Sequence, residues 1–322
     1  MRSRHPRRYN RSVPARRHQP AVLFVIASAI WGSTWLGIKY QLGVVEPDVS
    51  VAYRFALAAL LLGAFCAFTG RNLRFFARQH AFMAAQGALL FGLNYVAVYW
   101  AEAYATSGLV AVLFSTIVFM NPIAAHWLFG TALTSRTLIA AVLGVSGISL
   151  LFLPELMQAG RGGSAALGVA FGLGATAIAC GGNMVAVRNS RAGMPVLPAT
   201  AWAMGYGAIV AAVAAMLHGS HWNFDPSVTY IVSLGYLALF GSVFAFGAYL
   251  TLLEQIGPGP AAYVGVATPV VALLLTTLFE GYRWSWIAVA GIALAIAGNL
   301  TALQGPPRSP VRRERVATRT SA

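Results

Sequence analysis

Few ionisable side chains interrupt the long apolar runs of this sequence, and three of them could act on a solute. Arg54 lies early in one run, Lys39 lies near the end of the run before it, and Glu102 closes a later one. A charge inside a hydrocarbon layer costs roughly 2.5–3.5 kcal/mol on insertion scales, so such residues are usually functional. Arg54 could bind a substrate carboxylate or a buried carboxylate of the protein. Both basic side chains could instead extend to the membrane surface, and Glu102 could be a solvated helix end.

These three charges would lie on the same side of the membrane if the runs are consecutive spanning helices. They predict an outer gate in which Lys39, Arg54 and Glu102 form ion pairs that break and re-form between conformations. The gate is one of the two functions considered for these residues, and substrate binding is the other.

Aromatic side chains recur inside the same runs. Trp31 and Trp35 are four residues apart, as are Tyr95 and Tyr99, so each pair shares one face of a helix. Aromatic rings that face a cavity can hold apolar or cationic parts of a solute. Packing, or a position in an aromatic belt at the membrane surface, is the alternative, and it is favoured for Trp100.

Three asparagines, Asn94, Asn121 and Asn183, lie towards the middle of apolar runs. Their amides could hydrogen-bond across helices or offer a donor and an acceptor to a polar solute. The candidate residues for substrate binding or gating are selected from these charged, aromatic and amide residues. They are Trp31, Lys39, Arg54, Asn94, Tyr95, Tyr99, Glu102 and Asn183.

Signatures of catalysis are absent from the sequence. It contains neither a GxxxxGK[ST] phosphate loop nor a GxSxG nucleophile motif, and its His, Asp and Glu residues do not cluster as metal ligands. The two cysteines, Cys66 and Cys180, both lie in apolar runs without metal-site or disulfide spacing. The sequence therefore predicts a protein that is not an enzyme and that has no cofactor and no bound metal.

Composition indicates that lipid is the solvent. Hydrophobic residues make up 58% of the 322 residues and charged residues 9%, with a mean hydropathy of +0.69, whereas a soluble domain is about 25% charged. The net charge of +14 is concentrated in two terminal tails. This placement is typical of topology signals that contact anionic headgroups rather than of nucleic-acid binding.

Apolar runs of about 20 residues can cross a hydrocarbon core as helices. The sequence contains ten, at about 21–43, 48–69, 81–102, 107–129, 136–154, 166–188, 196–217, 228–254, 260–280 and 284–304. With the N-terminus inside, the cytoplasmic side receives 18 arginines, and the other side receives Lys39, Arg161 and Arg283. This asymmetry predicts that both termini are cytoplasmic.

An internal repeat divides the chain into two halves. A shift of 148 residues aligns Ala27–Ile30 with Ala175–Ile178 and Pro47 with Pro195, and a shift of 151 aligns Gly147 with Gly298. Because each half contains five spans, the second half must cross in the opposite sense, as in secondary transporters with inverted repeats. The predicted organisation is a basic tail, a five-helix repeat, a connecting loop, a second five-helix repeat and a second basic tail, at residues 1–20, 21–154, 155–165, 166–304 and 305–322.

Several segments resemble the EamA family of the drug/metabolite transporter superfamily. Trp31-Gly32-Ser33-Thr34-Trp35-Leu36-Gly37-Ile38-Lys39 is similar to its first-helix signature, and Tyr53-Arg54-Phe55 is similar to the start of its second helix. The resemblance extends to Ser107–Ala111 and to Gly257–Ala262 through Thr268-Pro269. The chain departs from the family pattern at Val118, where proline is frequent, and at Gly130–Thr134, where a glutamate is frequent.

The resemblance implies a secondary transporter of the cell (inner) membrane that exports small metabolites, such as amino acids or related organic solutes, by alternating access. Export of drug-like or toxic organic compounds and a pore-type channel for small solutes are the alternatives. The expected partners are a small-molecule substrate and membrane lipid but no nucleic acid, and a homodimer is left open.

Overall fold

The computed structural model describes residues 19–303, apart from 106, 152, 154–156, 158–163 and 281–284. The two basic tails and the connecting loop predicted at 155–165 lie largely outside these residues. Within the described part, every regular element is a helix, which confirms the prediction of an all-α protein. Helices are one of the two structures that satisfy every backbone hydrogen bond without water.

Ten helical stretches, labelled α1 to α10 in chain order, are formed by the described residues. Their bounds are Gln19–Lys39 (α1), Pro47–Phe68 (α2), Ala77–Tyr104 (α3), Ser107–Ser115 with Ile117–Phe129 (α4), Ser135–Leu151 (α5), Ser164–Arg191 (α6), Val196–His218 (α7), Val228–Ile256 (α8), Pro258–Ala261 with Val264–Glu280 (α9) and Trp286–Leu303 (α10). They agree with the predicted apolar runs to within a few residues. By length and composition, α1, α2, α3, α6, α7 and α8 can cross a membrane. The crossing of all ten stays a prediction.

Local sequence sets where several helices begin and end. Pro47 occupies the first turn of α2, and α7 follows Pro195, whose extended backbone precedes the helix. Proline suits such positions because the first turn needs no backbone N–H donor. Gly130 and Gly219 end α4 and α7 with φ angles of 64° and 72°, in the left-handed region that favours glycine. The two prolines that the internal repeat aligned therefore both lie at the start of a helix.

Two helices contain a π-helical turn, and the two turns are at equivalent positions. One is Ala88–Leu93 in α3 and the other is Leu237–Phe244 in α8. Their first residues are separated by 149 positions, which falls between the two shifts of the internal repeat. Such turns are rare and frequently occur at functional sites. The repeat in sequence thus corresponds to a repeat in local backbone structure.

Helix packing is reciprocal between the halves. The α2 helix packs mainly on α7, and α5 packs on α10, so each of these pairs joins equivalent helices. The other large contacts form matched pairs: α1 packs on α8 as α6 packs on α3, α1 packs on α9 as α6 packs on α4, and α2 packs on α8 as α7 packs on α3. Exchanging each helix of the first half with its counterpart in the second half therefore reproduces the pattern of contacts.

Glycines allow the closest of these contacts. A Cβ atom at Gly147 would lie 2.5 Å from the backbone of Ala295 and Gly291, and one at Gly298 would lie 2.7 Å and 2.8 Å from that of Gly144 and Ala140. Ala295 and Gly144 are separated by 151 residues, and so are Gly291 and Ala140, which is the separation of the two glycines themselves. Backbones can approach this closely only where side chains are absent.

A side chain at this crossing is expected to destabilise the protein. We expect Gly298→Leu to lower the free energy of unfolding by about 1–3 kcal/mol, the usual cost of overpacking. The measurement is the thermal unfolding temperature of purified protein in detergent. Gly63→Leu is the matched control, since a Cβ at Gly63 meets no atom within 4 Å. Equal losses in the two variants would contradict the role of the α5–α10 contact.

Candidate functional site

A cavity lies among helices of both halves. It contains about 770 Å³ of empty space, including its opening, and is lined by residues of α1, α3 and α4 together with α6, α8 and α9. These helices form three equivalent pairs, α1 with α6, α3 with α8 and α4 with α9. The lining side chains are mostly aromatic and aliphatic, with a few amides and hydroxyls: Trp31, Thr34, Trp35, Ile38, Leu90, Asn94, Tyr95, Val98, Ala111, Phe114, Ile117, Ala179, Asn183, Phe246, Tyr249, Ala262, Thr268 and Pro269.

Four of the eight residues predicted for substrate binding or gating line this cavity, namely Trp31, Asn94, Tyr95 and Asn183. The indole N–H of Trp31 donates to the Gly241 carbonyl oxygen at 3.1 Å, which belongs to the π-helical turn of α8. This bond fixes the indole against the cavity wall. The structure thus brings together candidates from α1, α3 and α6, which are far apart in sequence.

The amides at the cavity belong to a network of uncharged groups. The Asn183 amide N–H₂ donates to the Asn121 side-chain oxygen at 3.4 Å, and Tyr249 lines the cavity together with Asn183. Asn121 and Asn183 are 0% and 1% exposed. The two asparagines come from α4 and α6, so their bond joins these helices at the cavity wall.

Arg54 is fully buried behind the cavity wall. Its Nε donates to the Ser242 hydroxyl at 3.1 Å and its Nη1 to the Tyr99 hydroxyl at 3.5 Å, and its Cζ lies 4.7 Å from the centre of the Tyr95 ring. Among the described residues, no carboxylate lies within 4 Å of the guanidinium. The side chain therefore does not extend to a surface, and the groups that hold it are neutral.

The three remaining candidates lie outside the cavity lining. Tyr99 is buried, and its hydroxyl donates to the Gln41 side-chain oxygen at 2.7 Å. Lys39 is exposed at the end of α1, and Glu102 is half-buried in the last turns of α3. In this conformation neither Lys39 nor Arg54 takes part in an ion pair with a described residue, and the outer gate stays a prediction.

A second polar cluster, which the sequence did not suggest, joins α2, α3 and α7. Both oxygens of the buried Asp48 carboxylate are bonded: Oδ2 lies 2.5 Å from Nδ1 of His218, and Oδ1 accepts from the Trp100 indole N–H at 2.8 Å. Trp100, for which a membrane-belt position was favoured, is therefore a hydrogen-bond donor to a buried carboxylate.

A second contact between a histidine and an acidic residue, His221 and Glu46, lies in the loops beside this cluster. The backbone N–H of His221 donates to Glu46 at 3.1 Å, and this bond lowers the pKa of the Glu46 carboxyl. The two His–carboxylate contacts, His218 with Asp48 and His221 with Glu46, join the start of α2 and the residue before it to the end of α7 and the loop that follows it.

Phe246 and Tyr249 are cavity residues that the sequence analysis missed. The Phe246 ring centre lies 4.8 Å from that of Trp31, and the Tyr249 ring centre lies 5.1 Å from it. A signal for Phe246 was present, because the 151-residue shift places Tyr95 on Phe246. Applying the repeat to the candidate residues would have found it.

A helical membrane protein with an aromatic cavity enclosed by equivalent helices of two halves has the architecture of a membrane transporter. The EamA-like transporter family matches residues 19–153 and 166–303. The chain belongs to this family, within the drug/metabolite transporter superfamily, and the resemblance found in the sequence is confirmed. Each of the two matched segments contains five of the helical stretches.

Individual proteins are similar over most of the chain. "Uncharacterized inner membrane transporter YedA" of Escherichia coli strain K12 is 30% identical over 272 residues, which are 83% of this chain and 86% of that protein. "Protein PecM" of Dickeya dadantii strain 3937 is 27% identical, with the same two shares covered. A solved crystal structure with 18% identity has a TM-score of 0.72 and covers 89% of this chain and 96% of its own, which shows a common fold.

The neutral environment of Arg54 gives a prediction about stability. Ser242 also donates to the Leu237 carbonyl and Tyr99 to Gln41, so both hydroxyls keep a partner when the guanidinium is removed. A buried charge without a counter-charge opposes folding. We therefore expect Arg54→Met to unfold at the same temperature as the wild type or at a higher one, measured by thermal unfolding in detergent. A clear decrease would instead assign Arg54 a structural role.

The Asp48 cluster gives a second prediction about stability, in which removal of a polar side chain destabilises the protein. Truncation of His218 leaves a buried carboxylate without one of its partners, which we expect to cost about 1–3 kcal/mol of stability. The double variant Asp48→Asn/His218→Ala removes the charge as well and should be more stable than His218→Ala alone. Thermal unfolding at neutral pH compares the two. A double variant that is no more stable than the single one would show that the carboxylate left without its partner is not what destabilises His218→Ala.

Proposed function

We propose that this chain is a secondary transporter that exports small metabolites, such as amino acids or related organic solutes, by alternating access through the cavity. The observation that carries the proposal is the position of the cavity between three equivalent pairs of helices. In transporters with inverted repeats, the substrate site lies at the interface of the repeats, and rocking of one repeat against the other exposes it alternately to the two sides.

Inverted repeats require that all ten helical stretches span the membrane. Five crossings in each half then give the halves opposite orientations, and the arginine-rich tails support a cytoplasmic position for both termini. The reciprocal packing of the described helices supports this arrangement. An inner-membrane location is supported by the relative from Escherichia coli, whose name describes an inner membrane transporter.

A carrier is favoured over a pore by the character of the cavity. Charged rings line many ion-selective pores, whereas the described residues that line this cavity are uncharged aromatic, aliphatic, amide and hydroxyl side chains. Drug-like or toxic organic compounds are a second class of cargo, and the many aromatic rings of the lining support it. A homodimer stays a prediction.

The kinetics of transport test this proposal. Purified protein in proteoliposomes is offered a panel of radiolabelled amino acids and organic solutes, and uptake is measured with and without unlabelled solute inside. A carrier gives saturable uptake that is accelerated by solute on the opposite side. Flux that rises linearly with concentration, without such acceleration, would assign a pore.

Variants connect that flux to the cavity. We expect Trp31→Ala and Asn183→Ala to lower uptake at least fivefold, because both side chains line the cavity. Trp127→Ala is the matched control for the loss of an indole, since Trp127 is 81% exposed, and it should leave uptake unchanged. Equal effects of Trp31→Ala and Trp127→Ala would exclude the cavity as the route.

A further inference from the structure

We propose that the cavity binds uncharged aromatic solutes that carry N–H or O–H donors, in preference to zwitterions or ions of the same size. This inference rests on the proposed function and narrows its substrate class. It follows from three features of the cavity, namely the hydrogen-bonding groups that the wall leaves without a partner, the aromatic surface around them and the place of the nearest charge.

Three polar atoms of the lining have no hydrogen-bond partner in the structure. They are the side-chain oxygens of Asn94 and Asn183 and the indole nitrogen of Trp35. The two asparagines are 2% and 1% exposed, so water in bulk does not satisfy them. A buried polar group without a partner opposes folding, because it has lost its hydrogen bonds to water. Such a group in a native protein calls for an explanation, and a bound solute supplies one.

The orientation of the two amides is set by their other ends. The Asn94 N–H₂ donates to the Leu90 carbonyl oxygen at 3.2 Å, within the π-helical turn of α3, and the Asn183 N–H₂ donates to Asn121. Each nitrogen therefore has one partner, whereas each side-chain oxygen has none. The lining atoms without any partner are thus two acceptors, on α3 and α6, and one donor, on α1. A solute with two donor hydrogens and one acceptor would complement these three atoms.

Aromatic rings surround these atoms. Trp31, Tyr95 and Phe246 line the same cavity, and the Phe246 ring contacts that of Trp31 at 4.8 Å between centres. Rings at such distances pack edge to face or offset, and a further aromatic ring can join them in the same way. The apolar part of the solute is therefore expected to be aromatic.

The nearest charge does not reach the solute. Arg54 is fully buried, lies behind the Tyr95 ring and directs Nε and Nη1 to Ser242 and Tyr99. A carboxylate in the cavity would gain no direct bond from it in this conformation. An ammonium group finds no carboxylate among the described lining residues. Ions and zwitterions would lose their hydration without an opposite charge in return, which favours a neutral solute.

A series of phenyl compounds of nearly equal size tests the charge preference. Wild-type protein in lipid nanodiscs is titrated at pH 7 by isothermal calorimetry with 2-phenylacetamide, phenylacetate, 2-phenylethylamine and phenylalanine, which are respectively neutral, anionic, cationic and zwitterionic. We expect the neutral amide to bind at least tenfold more tightly than each of the others. Tighter binding of phenylacetate would assign Arg54 as the anion partner, tighter binding of 2-phenylethylamine would assign the rings as a cation site, and either result would overturn the proposal.

A second comparison tests the donor requirement. N,N-dimethyl-2-phenylacetamide has the same ring and carbonyl but no N–H group, and it should bind about five- to tenfold more weakly than the primary amide. Asn94→Leu and Asn183→Leu should each weaken the primary amide by a similar factor and reduce the difference between the two amides. Asn299→Leu is the control, since Asn299 also has an oxygen without a partner but lies on α10, outside the cavity. Equal binding of the two amides by the wild type would overturn the proposal without any variant.

Failure of this proposal differs from failure of the proposed function. Saturable, exchange-accelerated transport of phenylalanine together with its tighter binding would leave the transporter assignment intact and overturn the neutral class. Tight binding of 2-phenylacetamide by a protein with linear, unaccelerated flux would support the neutral class of solute and overturn the transporter assignment.

Discussion

Close contact between helix backbones is the constraint on which the rest of this structure depends. Lipid tails are as apolar as the side chains that face them, so burial alone does not hold such helices together. Packing must do so, and one of the close approaches is where Gly147 and Gly298 bring α5 and α10 together. The contact of Gly147 with α10 and that of Gly298 with α5 are equivalent under the repeat. Equivalent residues of the two halves therefore hold the halves together.

The cavity is a consequence of that reciprocal packing. Helices that pack on their counterparts, α2 on α7 and α5 on α10, leave α1, α3 and α4 to face α6, α8 and α9 across the middle. Bulky residues such as Trp31 and Phe246 line this middle region, and small residues occupy the close crossings. The distribution of residue sizes along each helix therefore separates the surfaces that hold the protein together from the surface that can receive a solute.

The sequence predicted the helices well because lipid imposes one requirement on every spanning segment, a sufficiently long apolar run. It also selected Trp31, Asn94, Tyr95 and Asn183, which the structure places in the cavity lining, because polar and aromatic groups are conspicuous against an apolar background. The sequence did not predict which polar side chains contact each other. Asp48 and His218 are 170 residues apart, and neither residue type indicates the other. The neutral partners of Arg54 could not be predicted for the same reason, since Ser242 and Tyr99 are 188 and 45 residues away from it.

The π-helical turn of α8 connects the buried charge to the cavity. Its Gly241 carbonyl accepts from Trp31, and its Ser242 hydroxyl accepts from Arg54. A Cβ at Gly241 would lie 2.8 Å from the Thr34 side chain and 3.1 Å from Arg54, so α1, α2 and α8 meet there with no space left over. A π-turn has one residue more than the α-helix would hold, and relaxing it would rotate the rest of α8. Any such change would therefore move the wall of the cavity and the guanidinium together.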